Sequence, residues 1–534
     1  MQTLYRKTMK RAFVISVLLV LALFALGACS SNTGGNQASS GNSGNQGNDG
    51  TGTTSTPAAA SQNPKTNEEP LEIEMMTSLL QEIPSMDNEY YSELQKLTNT
   101  KLNIIWVPDG PDYEQKLDLV LASGDIPEVL YGVSYNRPTL VNAIRQGAFW
   151  DLTPFLGDFS EYPNLRDNMT PGSWNYVKLD GKITGIPRSR SLIDNGIKMR
   201  KDWLEKLNIP VPTTLDEYKE ALIKIVNGDP DGNGRKDTIG LAANGPISSI
   251  QAAFGVLDPT YDEEGGLIVD ILTPQYTDTV EWFRGLYAEG LLPAEFAALN
   301  NTQLQDLLRS GRAASYEYSI YRDYTWTEDI KKVQPEGELM TIPPLKGPKG
   351  YSAILDIGTR GAFYISKKVP EEKVKRILDY FEKTASEEIT NLGYYGKEGV
   401  HYNIVNGERV PTELGKVQIQ VTALSPLTPA FTKWGKVHAS GAPKAWNEAK
   451  EKEAAPYEEY GKVNPFRYLI SDTWVEVWPK YDAELKSMRT KAIVGQISMD
   501  EYRKYVESIK NDPQIKKAFK EFAEDYASRN SGGN

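Results

Sequence analysis

The chain has 534 residues, 40% of them hydrophobic, and a formal charge of -12 at neutral pH. That acidity argues against nucleic acid and against an electrostatic grip on anionic lipid, and it disfavours polyanionic ligands unless a local basic patch overrides the total. A lone cysteine, Cys29, excludes a disulfide within the chain, so an apolar core must carry the fold, and the length points to two or more domains.

The first residues are basic (Arg6, Lys7, Lys10, Arg11), then apolar from Ala12 to Ala25, then Leu26-Gly27-Ala28-Cys29. Charged, apolar and small residues in that order make a secretory signal, and the apolar run is shorter than the roughly 20 residues of a spanning helix. A cysteine directly after the cleavage point resembles the bacterial lipoprotein signal, which implies removal of residues 1–28 and lipidation of Cys29 (palmitate-type acyl chains on its thiol). Residues 29–66 are mostly Ser, Gly, Asn, Gln and Thr, too polar to offset the entropy of ordering, and are expected to form a disordered tether. Such a tether suits a Gram-positive surface, where the folded body stands off from the membrane.

Order is expected from about residue 67. Leu71–Met76 and Leu102–Val107 read as strands around a helix over Tyr90–Leu97. Asp112 is placed to cap a helix carrying Leu117, Val120 and Leu121 and ending at Ser123-Gly124; a strand over Glu128–Tyr131 and a helix near Thr139–Gln146 follow. The alternation predicts an α/β unit, 67–185, with a mostly parallel sheet covered by helices on both faces. A second unit, 186–353, starts after Gly181-Lys-Ile-Thr-Gly-Ile-Pro187 and carries helices over Asp202–Leu207, Thr214–Val226, Thr277–Glu289 and Thr302–Ser310. Within it, Thr214-Leu-Asp-Glu217 is a capping box and Leu215, Tyr218, Leu222 and Ile225 form a buried stripe. Residues 354–440, with strand-like Phe363-Tyr-Ile365 and a helix over Glu371–Lys383, are expected to return to the first unit. Residues 441–534, helical from Trp474 to Ser528, are expected to complete the second.

Several of these segments resemble the family 1 extracellular solute-binding proteins of bacterial ABC importers. The matching stretches, in order, are Lys116-Leu-Asp-Leu-Val-Leu-Ala-Ser-Gly-Asp-Ile-Pro127, Lys201-Asp-Trp-Leu-Glu-Lys-Leu207 with Val211-Pro-Thr-Thr-Leu-Asp-Glu-Tyr218, Leu286-Tyr-Ala-Glu-Gly-Leu291, Gly396-Lys-Glu-Gly-Val-His-Tyr402 and Ile493-Val-Gly-Gln-Ile-Ser-Met-Asp-Glu-Tyr502. The subgroup they resemble is the large carbohydrate-import lipoproteins related to alginate-binding proteins. The resemblance implies a two-lobed periplasmic-binding-protein-like fold, α/β in each lobe, with crossing hinge strands and a ligand cleft between the lobes. It further implies a monomer that closes on an oligosaccharide or other polar solute and presents itself to ABC permease subunits.

Asp229-Pro-Asp231-Gly-Asn233-Gly234-Arg235-Lys-Asp237 fits the opening of an EF-hand loop, within 229–240. Side-chain oxygens of Asp229, Asp231, Asn233 and Asp237 and the Arg235 carbonyl are candidate ligands for a structural Ca²⁺. The last loop position is Gly240 where an EF-hand has Glu, and Thr238 stands where solute-binding relatives tend to place an acid. One charged ligand is therefore missing; the plain alternative is an Asx-rich turn after the preceding helix.

A sugar offers apolar faces and a rim of hydroxyls, which stacked aromatics and planar polar groups match; candidates near loops and strand ends are preferred because a cleft is lined there. These are Tyr131, Trp174, Arg188, Arg190, Tyr316, Glu317, Tyr318, Arg322, Trp326, Asp356, Arg360 and Trp434, with Tyr321 in the same polar-aromatic stretch. Trp203, Trp282, Trp474 and Trp478 lie on helical patterns and read as packing residues. No nucleophile elbow, Cys–His pair, phosphate loop or zinc motif is present, so binding is favoured over catalysis. A surface receptor feeding a sensor pathway and a surface glycoside hydrolase are the competing readings.

Overall fold

The computed structural model describes residues 69–79, 85–170, 172–418, 424, 426–429, 431–439 and 441–530. The signal segment, Cys29 and the tether lie outside the described residues.

The frame is built from strands β1 (Leu71–Leu79), β2 (Thr100–Pro108), β3 (Val129–Gly132), β4 (Ile186–Ser189), β5 (Asn195–Arg200), β6 (Ile239–Leu241), β7 (Ala313–Ser319), β8 (Leu339–Thr341), β9 (Ala353–Leu355), β10 (Thr359–Ile365) and β11 (Gly461–Val463). The first lobe holds a five-stranded sheet in the order β2-β1-β3-β10-β4. Pairing of β1 with β2 and β3 is parallel, whereas β10 runs against both β3 and β4. The alternation of strands and helices thus yields the expected parallel trio, and the strand that returns from the second lobe breaks it. The second lobe holds a four-stranded sheet in the order β8-β5-β7-β6, with β5 antiparallel to both neighbours and β6 parallel to β7.

Each sheet has its own core, which is why the chain divides into lobes. Ile73, Leu94, Leu117, Leu130, Phe363 and Phe381 are buried together in the first. Met199, Leu222, Leu241, Phe283, Tyr502 and Phe519 are buried in the second, so the late helices Asp482–Ile493, Met499–Lys510 and Pro513–Asn530 belong to that core. The helix Leu215–Asn227 carries the complete capping box at Thr214 and Glu217. At the helix Pro111–Ser123 the expected cap is displaced: Gly110 takes the N-cap position with no side-chain bond, Pro111 opens the first turn, and Asp112 lies inside it. There its charge still complements the positive end of the helix dipole. Trp203 is buried, and Trp474 stacks on Trp478 with ring centroids 4.2 Å apart, so both serve packing.

Among the described residues three chain segments pass between the lobes, and hydrogen bonds tie them side by side. The Arg190 amide donates to the Gly358 carbonyl (2.8 Å) and the Asp356 amide to the Leu192 carbonyl (2.7 Å), joining the β4–β5 and β9–β10 connections. Ser191 Oγ donates to the carbonyl of Thr432 (2.9 Å) in the segment leading to the helix Lys444–Glu459. Beneath them lies a small apolar cluster that includes Ile193, Ile320, Leu355, Val437 and Tyr457.

Candidate functional site

The ends of β4, β7 and β9 and the third crossing bring polar side chains to the hinge. Arg188 is buried at the end of β4 with its guanidinium over the Tyr131 ring, 4.9 Å from the centroid. The Tyr131 hydroxyl donates to the Arg360 carbonyl, and Arg360 pairs with Asp109 at 2.5 Å. Two residues beyond β7, Tyr321 presents a ring flanked by cations: Arg322 lies 4.9 Å and Lys436 5.5 Å from its centroid. The Tyr321 amide donates to the Lys436 carbonyl (3.1 Å), which fixes this approach through the backbone. Asp194 accepts from Ser319 Oγ at 2.5 Å, and Asp356 pairs with Arg467 at 3.3 Å. Burial raises the Asp356 pKa even though Arg467 opposes the shift.

The sequence-predicted residues separate into those at the hinge and those beneath it. Arg190, Arg322, Asp356, Arg360 and the half-buried Trp434 stand at the crossings, with Lys433 4.9 Å from the Trp434 ring centroid. Tyr131 is fully buried against Phe363. Tyr316 and Trp326 are buried in a satellite core, and Tyr318 stacks on Trp326 with centroids 5.1 Å apart. The Glu317 carboxylate is engaged by the amides of Ser248 (2.8 Å) and Ser249 (2.7 Å), so it closes the start of the helix Ser248–Ala253. Trp174 packs edge-on against Phe159 and donates Nε1–H to the Leu165 carbonyl at 3.1 Å. Lys436, Asp194 and Asp109 were not legible as hinge residues. For Lys436 the nearest signal was Trp434, two positions away, which marked the loop but not the ammonium.

Directly behind Arg322 is a buried charge network. Asp323 receives Lys198 Nζ at 2.5 Å, Lys450 Nζ at 2.8 Å and Thr341 Oγ1 at 2.8 Å, and Lys450 also reaches Glu453 at 2.6 Å. It links β5, the start of the helix Arg322–Lys331 and the helix Lys444–Glu459.

In the loop after the helix Leu215–Asn227, the acidic side chains turn inward on Asn233. Its Nδ2 donates to Asp231 (2.7 Å) and Asp237 (3.1 Å), while its amide and that of Gly234 donate to Asp229 (3.1 and 3.0 Å). Gly232 and Gly234 adopt φ of 69° and 72°, which give the sharp turns. Burial and the contact with Asp229 raise the Asp231 pKa, whereas the Gly234 amide helps hold that of Asp229 down. Crowded carboxylates of this kind fit a divalent cation chemically, but among the described residues no set of three or more His, Cys, Asp or Glu side chains is arranged as a metal cage.

Residues 78–388 match the family described as bacterial extracellular solute-binding protein. The chain is 30% identical to the polygalacturonan/rhamnogalacturonan-binding protein YtcQ of Bacillus subtilis over 82% of its own length and 88% of that protein's. It is 27% identical to lipoprotein LipO of the same organism over 80% of its length and 86% of LipO. Its fold is similar to the crystal structure of alginate-binding protein AlgQ2 without calcium ion, with a TM-score of 0.63, 18% identity, and coverage of 86% of this chain and 98% of that one. The matched span and the identity over most of both chains place this protein in the bacterial extracellular solute-binding family, whose members are two-lobed binding proteins and not enzymes.

Proposed function

We propose that this protein captures an oligosaccharide in the cleft at the hinge and delivers it to the permease of an ABC importer. The observation that carries the reading is the gathering of Arg190, Tyr321, Arg322, Asp356, Arg360 and Lys436 near the point where the crossing segments are tied together, with Trp434 on the third crossing. A half-buried tyrosine and tryptophan supply faces for sugar C–H groups, and the guanidinium and carboxylate groups supply planar partners for hydroxyls. Tyr131, Arg188, Tyr316, Glu317, Tyr318 and Trp326 would act behind this surface by holding its strands. Family membership and the name of YtcQ, a polygalacturonan/rhamnogalacturonan-binding protein, support a carbohydrate ligand. The Cys29 signal and the name of LipO support a lipid anchor on the outer face of a Gram-positive membrane.

The protein beginning at residue 30 is expected to bind an oligosaccharide in calorimetry and to return it unchanged. Cleavage of the glycan would sink the receptor reading, and binding of peptides alone would redirect it.

The 229–237 loop is proposed to take Ca²⁺ as a structural ion, held by Asp229, Asp231, Asn233, Asp237 and the Arg235 carbonyl. Calcium would replace the hydrogen bonds to Asn233 with ligation and relieve the crowding of carboxylates. At a hundredfold excess over its dissociation constant the ion adds about 2.7 kcal/mol of stability. Chelation by EGTA is therefore expected to lower the melting temperature by several degrees, with the response lost in Asp231→Asn. An unchanged melt after EGTA counts against occupancy of the loop.

A further inference from the structure

The helix Glu387–Tyr395 packs on the first core through Ile389 and Leu392, and its last turn carries the half-buried Tyr394. The end of this helix is held in place: the Tyr90 hydroxyl donates to the Gly393 carbonyl (2.9 Å), and Gly396 closes the last turn. Tyr394 meets the third crossing at Gly435, which lies between Trp434 and Lys436. A β-carbon on Gly435 would stand 2.4 Å from the Tyr394 hydroxyl oxygen and 3.2 Å from the ring carbon that bears it. Gly435 is not among the glycines with positive φ, so what its missing side chain provides is room for that hydroxyl. The Tyr394 phenol also stands near Arg190, whose charged form it favours. Among the described residues the hydroxyl itself has no hydrogen-bond partner, whereas those of Tyr90, Tyr131 and Tyr135 are all engaged by protein groups.

Resting on the carbohydrate reading above, we infer that Tyr394 is a specificity-determining contact: its hydroxyl bonds a hydroxyl group of the bound sugar, and Gly435 keeps its place open. A phenol donates one hydrogen bond and accepts others, so it matches a sugar hydroxyl in either sense. Its seat on a helix, not a loop, fixes the hydroxyl well enough to discriminate against a sugar lacking that partner. Tyr394 belongs to the first lobe, whereas Tyr321 and Arg322 follow β7 of the second. A sugar held by both therefore bridges the lobes.

The test titrates oligogalacturonides and neutral fructo-, gluco- and manno-oligosaccharides calorimetrically into the protein beginning at residue 30. For each sugar that this parent binds, Tyr394→Phe is expected to weaken affinity about 3- to 10-fold, the range of one hydrogen bond. Its melting temperature without sugar is expected to stay unchanged. Gly435→Ala crowds the hydroxyl without removing a polar group and is expected to weaken binding by a similar factor. The double variant is expected to lose no more than the larger single loss. Tyr395→Phe, at the exposed neighbour, is expected to bind as the parent does. Unchanged affinity in Tyr394→Phe overturns the inference and leaves the carbohydrate reading intact. Weaker binding together with a lower melting temperature also overturns it, since the hydroxyl then serves the fold. An equal loss in Tyr395→Phe overturns the assignment to Tyr394, and additive losses in the double variant overturn the part given to Gly435. If the parent binds none of the sugars, both readings fail.

Discussion

Replacing Asp323 with Asn is expected to cost about 3–5 kcal/mol of stability, because it strands the buried Lys198 ammonium and leaves Lys450 only its pairing with Glu453. Lys198 is fully buried and Lys450 nearly so, and both converge on the one carboxylate within 2.8 Å. The asparagine amide would also turn N–H donors towards them. Urea denaturation of the variant reads the loss directly. A companion variant, Asp323→Leu with Lys198→Met and Lys450→Met, is expected to recover much of it, since an apolar replacement removes the desolvation penalty together with the attraction. A loss below about 1 kcal/mol in Asp323→Asn would show that water reaches the network, as it does at exposed pairs. Acid acts on the same group. Burial raises the Asp323 pKa, but Lys198 and Lys450 outweigh it and hold the carboxyl below its usual value. For a depressed carboxyl, the stabilisation is complete above the unfolded pKa of about 3.9 and is lost as pH falls below it towards the folded pKa. Because Arg322 adjoins Asp323, the neutral variant is also expected to weaken ligand binding.

Gly361→Ala is expected to be as damaging for a different reason. Gly361 has φ of 75°, and a β-carbon there would lie 2.0 Å from the Gly132 carbonyl oxygen on β3. The position falls where the register of β10 against β4 shifts, between Thr359 and Ala362. The substitution combines left-handed strain with a backbone collision in the central pairing of the first sheet, and about 3 kcal/mol or more is expected. Gly147→Ala isolates the strain: its φ is 79°, but nothing lies within 4 Å of the added carbon. It is expected to cost only about 1 kcal/mol. Equal denaturation midpoints for the two variants would mean that β10 shifts away from β3 without penalty.

The sequence was most readable where structure is decided locally. The Thr214–Glu217 capping box and the stripe Leu215, Tyr218, Leu222 and Ile225 specify a helix without outside help, and the structure has it. The alternating start of β1, with Leu71 and Ile73 in and Glu72 and Glu74 out, is equally local. Pairings across long stretches were not readable in that way. Nothing near Phe363 says that β10 will insert beside β3 and run against it, because that is decided by how the chain returns from the second lobe. The fate of Glu317 is similar. Its position among tyrosines marked it as a ligand candidate, while the amides that engage it belong to Ser248 and Ser249, remote in sequence. Lys436 was invisible for the converse reason: its chemistry comes from Tyr321 and Asp194, neither of which is near it in the chain.

The bonds from Arg190 to Gly358, Asp356 to Leu192 and Ser191 to Thr432 have a mechanical consequence. Three segments laced together cannot swivel separately, so the lobes are left with a single soft coordinate, a bend across the lacing. Ligand contacts made on either side of that line all feed one angle. Occupancy of the cleft is thereby converted into the angle of one joint.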